Sequence, residues 1–262
     1  MKKSLIALAL VGAFAAPAFA EEAAAPAEHT LTGNIGLVSN YVFRGISQSQ
    51  NKPALQGGFD YAHASGFYAG TWLSNVAWVE DTAMKTGSSL EWDLYAGYKG
   101  SFADDFTYDV GGLYYYYPGK VVSGAKNTNS AELYGAIGWK FITLKYSHTV
   151  SENLFGWYNF NDSKSTRGSG YWDLTANYDL GEGWGVNAHV GHQKIKNLSD
   201  ASYTDWKVGV TKDVGFGVVG LAYSDTNAKT CGASVASYCW GPAGAQKNVS
   251  KGFAILSFTK TF

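Results

Sequence analysis

The sequence has little that could cross a membrane as a helix. Its one long apolar run, from Leu5 to Ala16, follows Lys2 and Lys3 and precedes Ala18-Phe19-Ala20. Basic residues, a short apolar run and an A-x-A motif are typical of a cleaved secretory signal, so we predict a signal peptide over residues 1–20. No other run reaches the ~18 apolar residues that a spanning helix needs. Membrane residence would therefore have to come from strands.

Cysteine, proline and basic clusters are also scarce. The chain has 2 Cys and 5 Pro, and its formal net charge is −1. The lack of a basic stripe excludes a nucleic-acid partner, and the lack of a phosphate-binding loop, nucleotide fingerprint or calcium motif predicts no cofactor. No histidine or third thiol lies near Cys231 and Cys239, which disfavours a metal site. In the oxidising compartment that the signal implies, these two cysteines are expected to form a disulfide.

Aromatic residues and glycine are abundant, at 16% and 32 residues. Together with alternating apolar residues they favour a β-protein. Trp172, Leu174 and Ala176 face one way, for example, while Tyr171 and Asp173 face the other. Strands are predicted near 31–43, 54–64, 66–77, 88–99, 105–117, 130–139, 141–150, 170–180, 184–193, 203–212, 216–224 and 252–262.

The connections between these segments alternate between short and long. Outer-membrane barrels have short periplasmic turns and long external loops, and an even strand number returns both termini to the periplasm. Closure also leaves no unpaired strand edge in lipid. We therefore predict an all-β fold, a transmembrane antiparallel up-and-down β-barrel of 12 strands over residues 31–262, with both termini periplasmic. Residues 21–30 are predicted to form a disordered acidic tail.

Aromatic residues near the strand ends predict two interfacial girdles. The periplasmic girdle would contain Tyr98, Phe106, Trp139, Phe141, Tyr178, Trp184, Phe216 and Phe262, and the external one Trp92, Tyr116, Trp172, Trp206 and Tyr223. On the last strand, Leu256, Phe258 and the terminal Phe262 recur with period two. That pattern resembles the signal that bacterial outer-membrane barrels present to their insertion machinery, so the barrel-assembly machinery is an expected partner.

The first hairpin carries a motif, Asn40-Tyr41-Val42-Phe43-Arg44-Gly45-Ile46-Ser47-Gln48-Ser49, followed by a second element that begins at Ser65. Within it, Tyr41, Arg44, Gly45 and Ser47 are the candidate motif residues. The motif resembles that of the TorF-type family of porin-like proteins, a proteobacterial outer-membrane group of formerly unknown function. This resemblance spans the chain after the signal and implies a barrel and a channel, without implying a substrate.

Charged residues divide between the predicted loops and the predicted lumen. Basic residues outnumber acidic ones in the external loops and their rims, where Arg44 and Lys85 are placed, which suits lipopolysaccharide as an outer-leaflet partner. Small lumen residues such as Gly97, Gly111 and Gly191 suggest some open cross-section. The acids near the external strand ends would form a partial collar that favours cations. The predicted lumen and selectivity residues are Glu91, Asp93, Asp109, Glu132, Lys145, Asp173, Asp205 and Lys207.

These features predict passive diffusion of ions or small solutes, with a mild preference for cations, and no enzyme. One alternative is a plugged structural or adhesin-type barrel, in which the lumen charges satisfy each other and the loops bind external ligands. The aromatic segment 154–162 could then be a stacking surface, or it could fold into the mouth as a constriction. A lipid acyl-ester hydrolase is a weaker alternative, because no Ser–His pair has a convincing partner at the external side.

Overall fold

The computed structural model describes residues 27–233, 238–242 and 244–262. The predicted signal peptide and residues 21–26 of the predicted tail lie outside these described residues. Twelve strands form one closed antiparallel barrel, in which each strand pairs with its neighbours in sequence and β1 pairs with β12. The predicted 12-strand barrel is confirmed. Its strands are β1 (His29–Val38), β2 (Ala54–His63), β3 (Phe67–Asn75), β4 (Leu90–Ala103), β5 (Phe106–Tyr116), β6 (Ser130–Trp139), β7 (Ile142–Thr149), β8 (Gly170–Gly181), β9 (Trp184–Lys194), β10 (Tyr203–Asp213), β11 (Val218–Thr226) and β12 (Phe253–Thr261).

Alternation along the strands sorts the side chains into two environments. In β8, Trp172 and Leu174 face outward and are exposed, whereas Tyr171 points inward and is buried. Strand residues two apart lie on the same face, so the pattern read from sequence fixes the facing of the whole strand. All the residues predicted for the two aromatic girdles are exposed on the outward face.

The connections are long at one end of the barrel and short at the other. The long ones are loop 1 (39–53), loop 2 (76–89), loop 3 (117–129), loop 4 (150–169), loop 5 (195–202) and loop 6 (227–252). The helical segments are α1 (Trp78–Asp81) in loop 2 and a 3₁₀ turn at Ser199–Ala201 in loop 5. Neither of them, nor any other helix in the described ranges, has the length and apolarity for a membrane crossing.

The first predicted strand, 31–43, differs from the observed one at both ends. β1 begins at His29, inside the segment predicted to be a tail, and stops at Val38. Beyond Val38 the apolar residues Val42 and Phe43 belong to a separate two-residue ladder with Ile46 and Ser47. In the sequence, the apolar residues Val42 and Phe43 look like a continuation of β1. In the structure they are not part of the barrel wall, which explains why the predicted strand was too long at this end.

Loop 6 contains the predicted disulfide. Cys231 and Cys239 are bonded, with their Cα atoms 5.0 Å apart, so this prediction is confirmed. The bond holds Tyr238 and Trp240 beside loop 2, where the two tryptophan rings, Trp78 and Trp240, lie 6.0 Å apart.

Candidate functional site

Loop 1 folds into the barrel as a tight hairpin, residues 42–47, which we call the plug hairpin. Arg44 and Gly45 form its tip, with φ values of 47° and 75°. Two successive positive φ angles are those of the two-residue hairpin turn that matches strand twist, and glycine takes such a conformation without strain. Ser47 fixes the base of the hairpin, because its hydroxyl donates to Asn40 Oδ1 at 2.6 Å and is fully buried.

The tip of the plug hairpin lies against the barrel wall at β10 and β11. A Cβ placed on Gly45 would lie 2.5 Å from Asp205 Cβ on β10 and 3.2 Å from Thr226 Cβ on β11. At the base, Tyr41 donates to Glu91 Oε1 on β4 at 2.9 Å. The hairpin therefore spans the lumen near the loop end of the strands, from β4 to β10.

Arg44 holds the plug hairpin in place through its guanidinium group. It donates to Glu132 Oε1 at 3.0 Å, to Glu132 Oε2 at 2.7 Å and to Gln193 Oε1 at 2.8 Å. The same group lies 4.3 Å from the ring centroid of Tyr171. The side chains of Arg44 and Glu132 are only 7% and 1% exposed. A buried two-pronged ion pair is geometrically specific, and removing one partner typically costs about 3–5 kcal/mol.

Arg44 was predicted to belong to the cationic external surface, and that placement is wrong. The tight turn carries it into the lumen, where Glu132 offers a carboxylate that solvent does not reach. The pKa of Arg44 is raised: burial alone would lower it, but the Glu132 charge outweighs burial. Lys85, in loop 2, is buried as well, with its Nζ donating to Tyr117 O and Asn129 Oδ1, and burial lowers its pKa.

The predicted acidic collar lies at the level of the plug hairpin, and most of its acids have partners there. Glu91 accepts from Tyr41 and from Tyr117, the latter at 3.0 Å. His189 bridges two others, with Nδ1 3.0 Å from Asp173 Oδ1 and Nε2 2.6 Å from Asp205 Oδ2. No sequence motif indicates these contacts. Alternation along β9 nevertheless places His189 on the lumen face.

Two members of the predicted set stand out by their surroundings. Asp93 is fully buried, and neither of its carboxylate oxygens has a hydrogen-bond partner in the described part of the chain. Lys145 lies over an aromatic ring, with its Nζ 4.1 Å from the ring centroid of Tyr134. Lys207 also faces the lumen, from β10. The structure thus brings the predicted lumen residues onto one interior surface.

Beyond the collar, tyrosine hydroxyls and carboxylates line the lumen toward the short turns. Tyr68 donates to Asp109 Oδ1 at 2.6 Å and contacts the hydroxyl of Tyr134. Glycines lie beneath these rings: a Cβ on Gly97 would collide with Tyr68, and one on Gly111 with Tyr134. The interpretation of these glycines as free cross-section is therefore wrong, because they make room for tyrosine rings, as Gly191 also does.

Residues 21–262 match the model of a family described as a bacterial protein of unknown function, Gcw_chp. The chain belongs to the Gcw_chp family. Among solved structures, the barrel is similar to the KdgM porin, with 8% identity over 88% of this chain and 99% of that one and a TM-score of 0.53. It is also similar to the NanC porin, with 11% identity, coverage of 88% and 99%, and a TM-score of 0.50. At these identities the likeness shows a shared barrel fold alone. Among curated proteins there is no match.

In this Gcw_chp barrel the loops enclose a cleft above the plug hairpin, which we call the mouth cleft. Its volume is about 330 Å³. The floor is formed by the plug hairpin and Gln193, and the walls come from loops 2, 4, 5 and 6 and from the start of β10. The lining residues include Phe43, Ile46, Trp78, Phe155, Trp157 and Trp240.

Loop 4 contributes to the cleft with only part of the segment 154–162. Leu154 is buried and Phe155 packs edge-on against Tyr115, with ring centroids 4.9 Å apart. From Tyr158 onward the chain forms a small exposed hairpin, in which Phe160 is 63% exposed. One half of the segment thus covers the mouth and the other half faces outward. The sequence had left two alternatives for the entire segment, a constriction of the mouth or an exposed stacking surface.

Of the predicted insertion residues, Leu256 and Phe258 lie on the outward face of β12 and Phe262 follows its last residue. Leu256 and Phe262 are exposed, and the Phe258 ring packs beside that of Phe216 at 5.8 Å. Sequence reasoning missed Gln193, Tyr171 and His189 as partners of the plug hairpin and the collar. Their inward facing could be read from alternation, but nothing in the sequence indicated that loop 1 would meet them.

Proposed function

We propose that this protein is a channel of the bacterial outer membrane, with its long loops external and both termini periplasmic. Ions or small solutes diffuse through it when the plug hairpin leaves the lumen. The observation that carries the proposal is that a single inward-folded hairpin, held by one buried ion pair, closes a barrel whose interior is polar. A closure of this kind is reversible in principle, because the barrel wall need not change.

The outward face of the barrel supports a membrane location. Leu55, Leu133 and Leu256 are each more than half exposed, and the aromatic girdles flank such residues at both ends. Large exposed apolar surfaces are rare on soluble monomers and are what an outer-membrane barrel presents to lipid. The TorF-type resemblance of the first hairpin supports the same proposal, as does the shared fold with the KdgM and NanC porins.

Partners follow from the two ends of the barrel. Arg44 and Lys85 are buried, but exposed loop residues such as Lys120, Lys196 and Lys251 can contact phosphate groups of lipopolysaccharide. The residues Leu256, Phe258 and Phe262 lie where an insertion machinery could contact the last strand. No cofactor or nucleic acid is part of the proposal.

A mild cation preference follows from the charges of the lumen face. Carboxylates outnumber guanidinium and ammonium groups there, and a net negative lining raises the local concentration of cations. We expect the reversal potential in a KCl gradient to show cation selectivity, and Asp173→Asn to reduce it, because the side chain of Asp173 keeps 28% exposure to the lumen. Asp162→Asn, on an exposed part of loop 4, is the matched control and should leave the selectivity unchanged. Anion selectivity of the unmodified protein would contradict the cation preference.

A second candidate function is a barrel that binds external ligands through its loops. The exposed loop 4 hairpin with Phe160 favours it, because aromatic side chains in exposed loops are common contact residues. Silence of the protein in bilayers, with and without an intact plug hairpin, would favour this candidate. The hydrolase alternative gains no support: the Ser65 hydroxyl lies 2.8 Å from His63 Nδ1, but this pair is at the short-turn end.

A further inference from the structure

The mouth cleft has the chemistry of a binding site for a particular class of small molecule. Seven of its described lining residues carry aromatic rings, which come from loops 1, 2, 4 and 6 and from the start of β10. Several of these rings contact each other. Trp157 and Tyr238 lie 5.5 Å apart between ring centroids, and Tyr238 and Trp240 lie 6.0 Å apart. A volume of about 330 Å³ is at the lower end of the range for small-molecule sites, which is roughly 300–1,000 Å³.

Charge in the cleft favours a neutral ligand. Arg44 is the one ionic side chain among the described residues that line it, and Glu132 already neutralises that charge. An anionic ligand would have to compete with a buried carboxylate for the guanidinium, and a cationic ligand would meet no free carboxylate in the lining. Burying an uncompensated charge costs far more than burying a neutral ring.

Hydrogen-bonding capacity in the cleft is largely used within the protein. Gln48 Nε2 donates to Ile46 O at 2.9 Å, and Gln193 accepts from Arg44 and donates to Gly170 O. The Thr82 hydroxyl donates to Trp78 O at 2.8 Å. A saccharide needs many free polar partners, so this lining does not suit one.

Trp78 forms part of the loop 2 wall of the cleft. The Nε1 of its ring is buried and has no hydrogen-bond partner in the described part of the protein. Because this donor presents no surface to the cleft, Trp78 offers a ligand apolar contact only. The loop 2 wall therefore favours a ligand with an apolar ring.

We infer that the mouth cleft binds a small, neutral aromatic compound with one or two rings, of the phenol type. The inference rests on the proposed channel, for which it names the class of solute that gathers at the external mouth. Because Phe43 and Ile46 form part of the floor, a bound ring contacts the plug hairpin directly. Binding itself, however, does not require the channel to conduct.

The test is calorimetric titration of the detergent-solubilised protein with phenol, benzoate and sucrose, none of which requires a bilayer. We expect saturable binding of phenol, at least tenfold weaker binding of benzoate and no binding of sucrose. Trp157→Ala should weaken phenol binding at least fivefold, because it removes one wall. Trp206→Ala, which removes an outward-facing tryptophan, controls for phenol that partitions into the detergent and should leave the affinity unchanged.

Each alternative result overturns the inference in a recognisable way. Tighter binding of benzoate would assign the cleft to anions, and binding of sucrose alone would assign it to saccharides. Equal phenol binding by the Trp157 and Trp206 variants, both with unchanged β-sheet circular dichroism, would place the phenol outside the cleft. A failure of the channel proposal is seen separately, as absent conductance in bilayers.

Discussion

Arg44→Ala is expected to raise the single-channel conductance several-fold over that of the unmodified protein. The substitution removes the two-pronged contact with Glu132, the contact with Gln193 and the stacking on Tyr171. It also leaves the Glu132 carboxylate buried without its cation, at a cost of about 3–5 kcal/mol. Withdrawal of the plug hairpin, with entry of water to Glu132, relieves that cost. Planar-bilayer recordings measure the change directly.

Arg167→Ala is the matched control for this prediction, because Arg167 is the other arginine of the chain and lies exposed in loop 4. It should leave the conductance as it is. Arg44→Lys keeps the charge but not the planar two-pronged geometry, so an intermediate conductance is expected. If Arg44→Ala folds and conducts no more than the Arg167 variant, the ion pair does not hold the channel shut.

Gly45→Val is expected to open the channel without changing any charge. A valine at this position would have to adopt a φ of 75°, and its Cβ would collide with Asp205 Cβ on the barrel wall. The wall is fixed by hydrogen bonds to both neighbouring strands, so the hairpin tip has to move instead. Conductance should rise as for Arg44→Ala, while the ion selectivity should change less, because the lumen keeps its charges.

Gly45→Val combines two effects, backbone strain at a positive φ and a collision with the barrel wall, and a control has to separate them. Gly124 in loop 3 has a similar φ of 84°, but a Cβ there would meet nothing within 4 Å. Gly124→Val therefore introduces the strain without the collision, and its conductance should match that of the unmodified protein. Equal conductance of the two valine variants would mean that the tip does not press on the wall.

The barrel could be predicted from sequence because its physical causes are local and repetitive. Alternation of residues such as Trp172 and Asp173 fixes which face points outward, and the unequal links indicate the antiparallel order. The inward facing of Glu91, Glu132 and Asp205 follows from the same alternation. None of this depends on contacts between distant parts of the chain.

The position of the plug hairpin could not be predicted in the same way, because it depends on the conformation of loop 1 and its contacts with distant strands. Arg44 and Glu132 are 88 residues apart in the chain, and no periodicity links them. The motif residues were recognised as a group, and each has a contact in the structure. Tyr41 contacts Glu91 and Arg44 contacts Glu132. Gly45 lies against β10, and Ser47 contacts Asn40. The interpretation of the lumen glycines as open space was wrong for a related reason. The tyrosine rings that cover them come from adjacent strands, and the sequence pattern of one strand does not show them.

We propose that the plug hairpin closes a barrel that would otherwise conduct. The most direct measurement compares, in planar bilayers, the unmodified protein with a variant in which residues 42–47 are replaced by a two-glycine turn. We predict rare, small openings for the unmodified protein and long-lived openings of several-fold larger conductance for the variant. Equal conductance of two correctly folded proteins, whether both open or both silent, would contradict the claim.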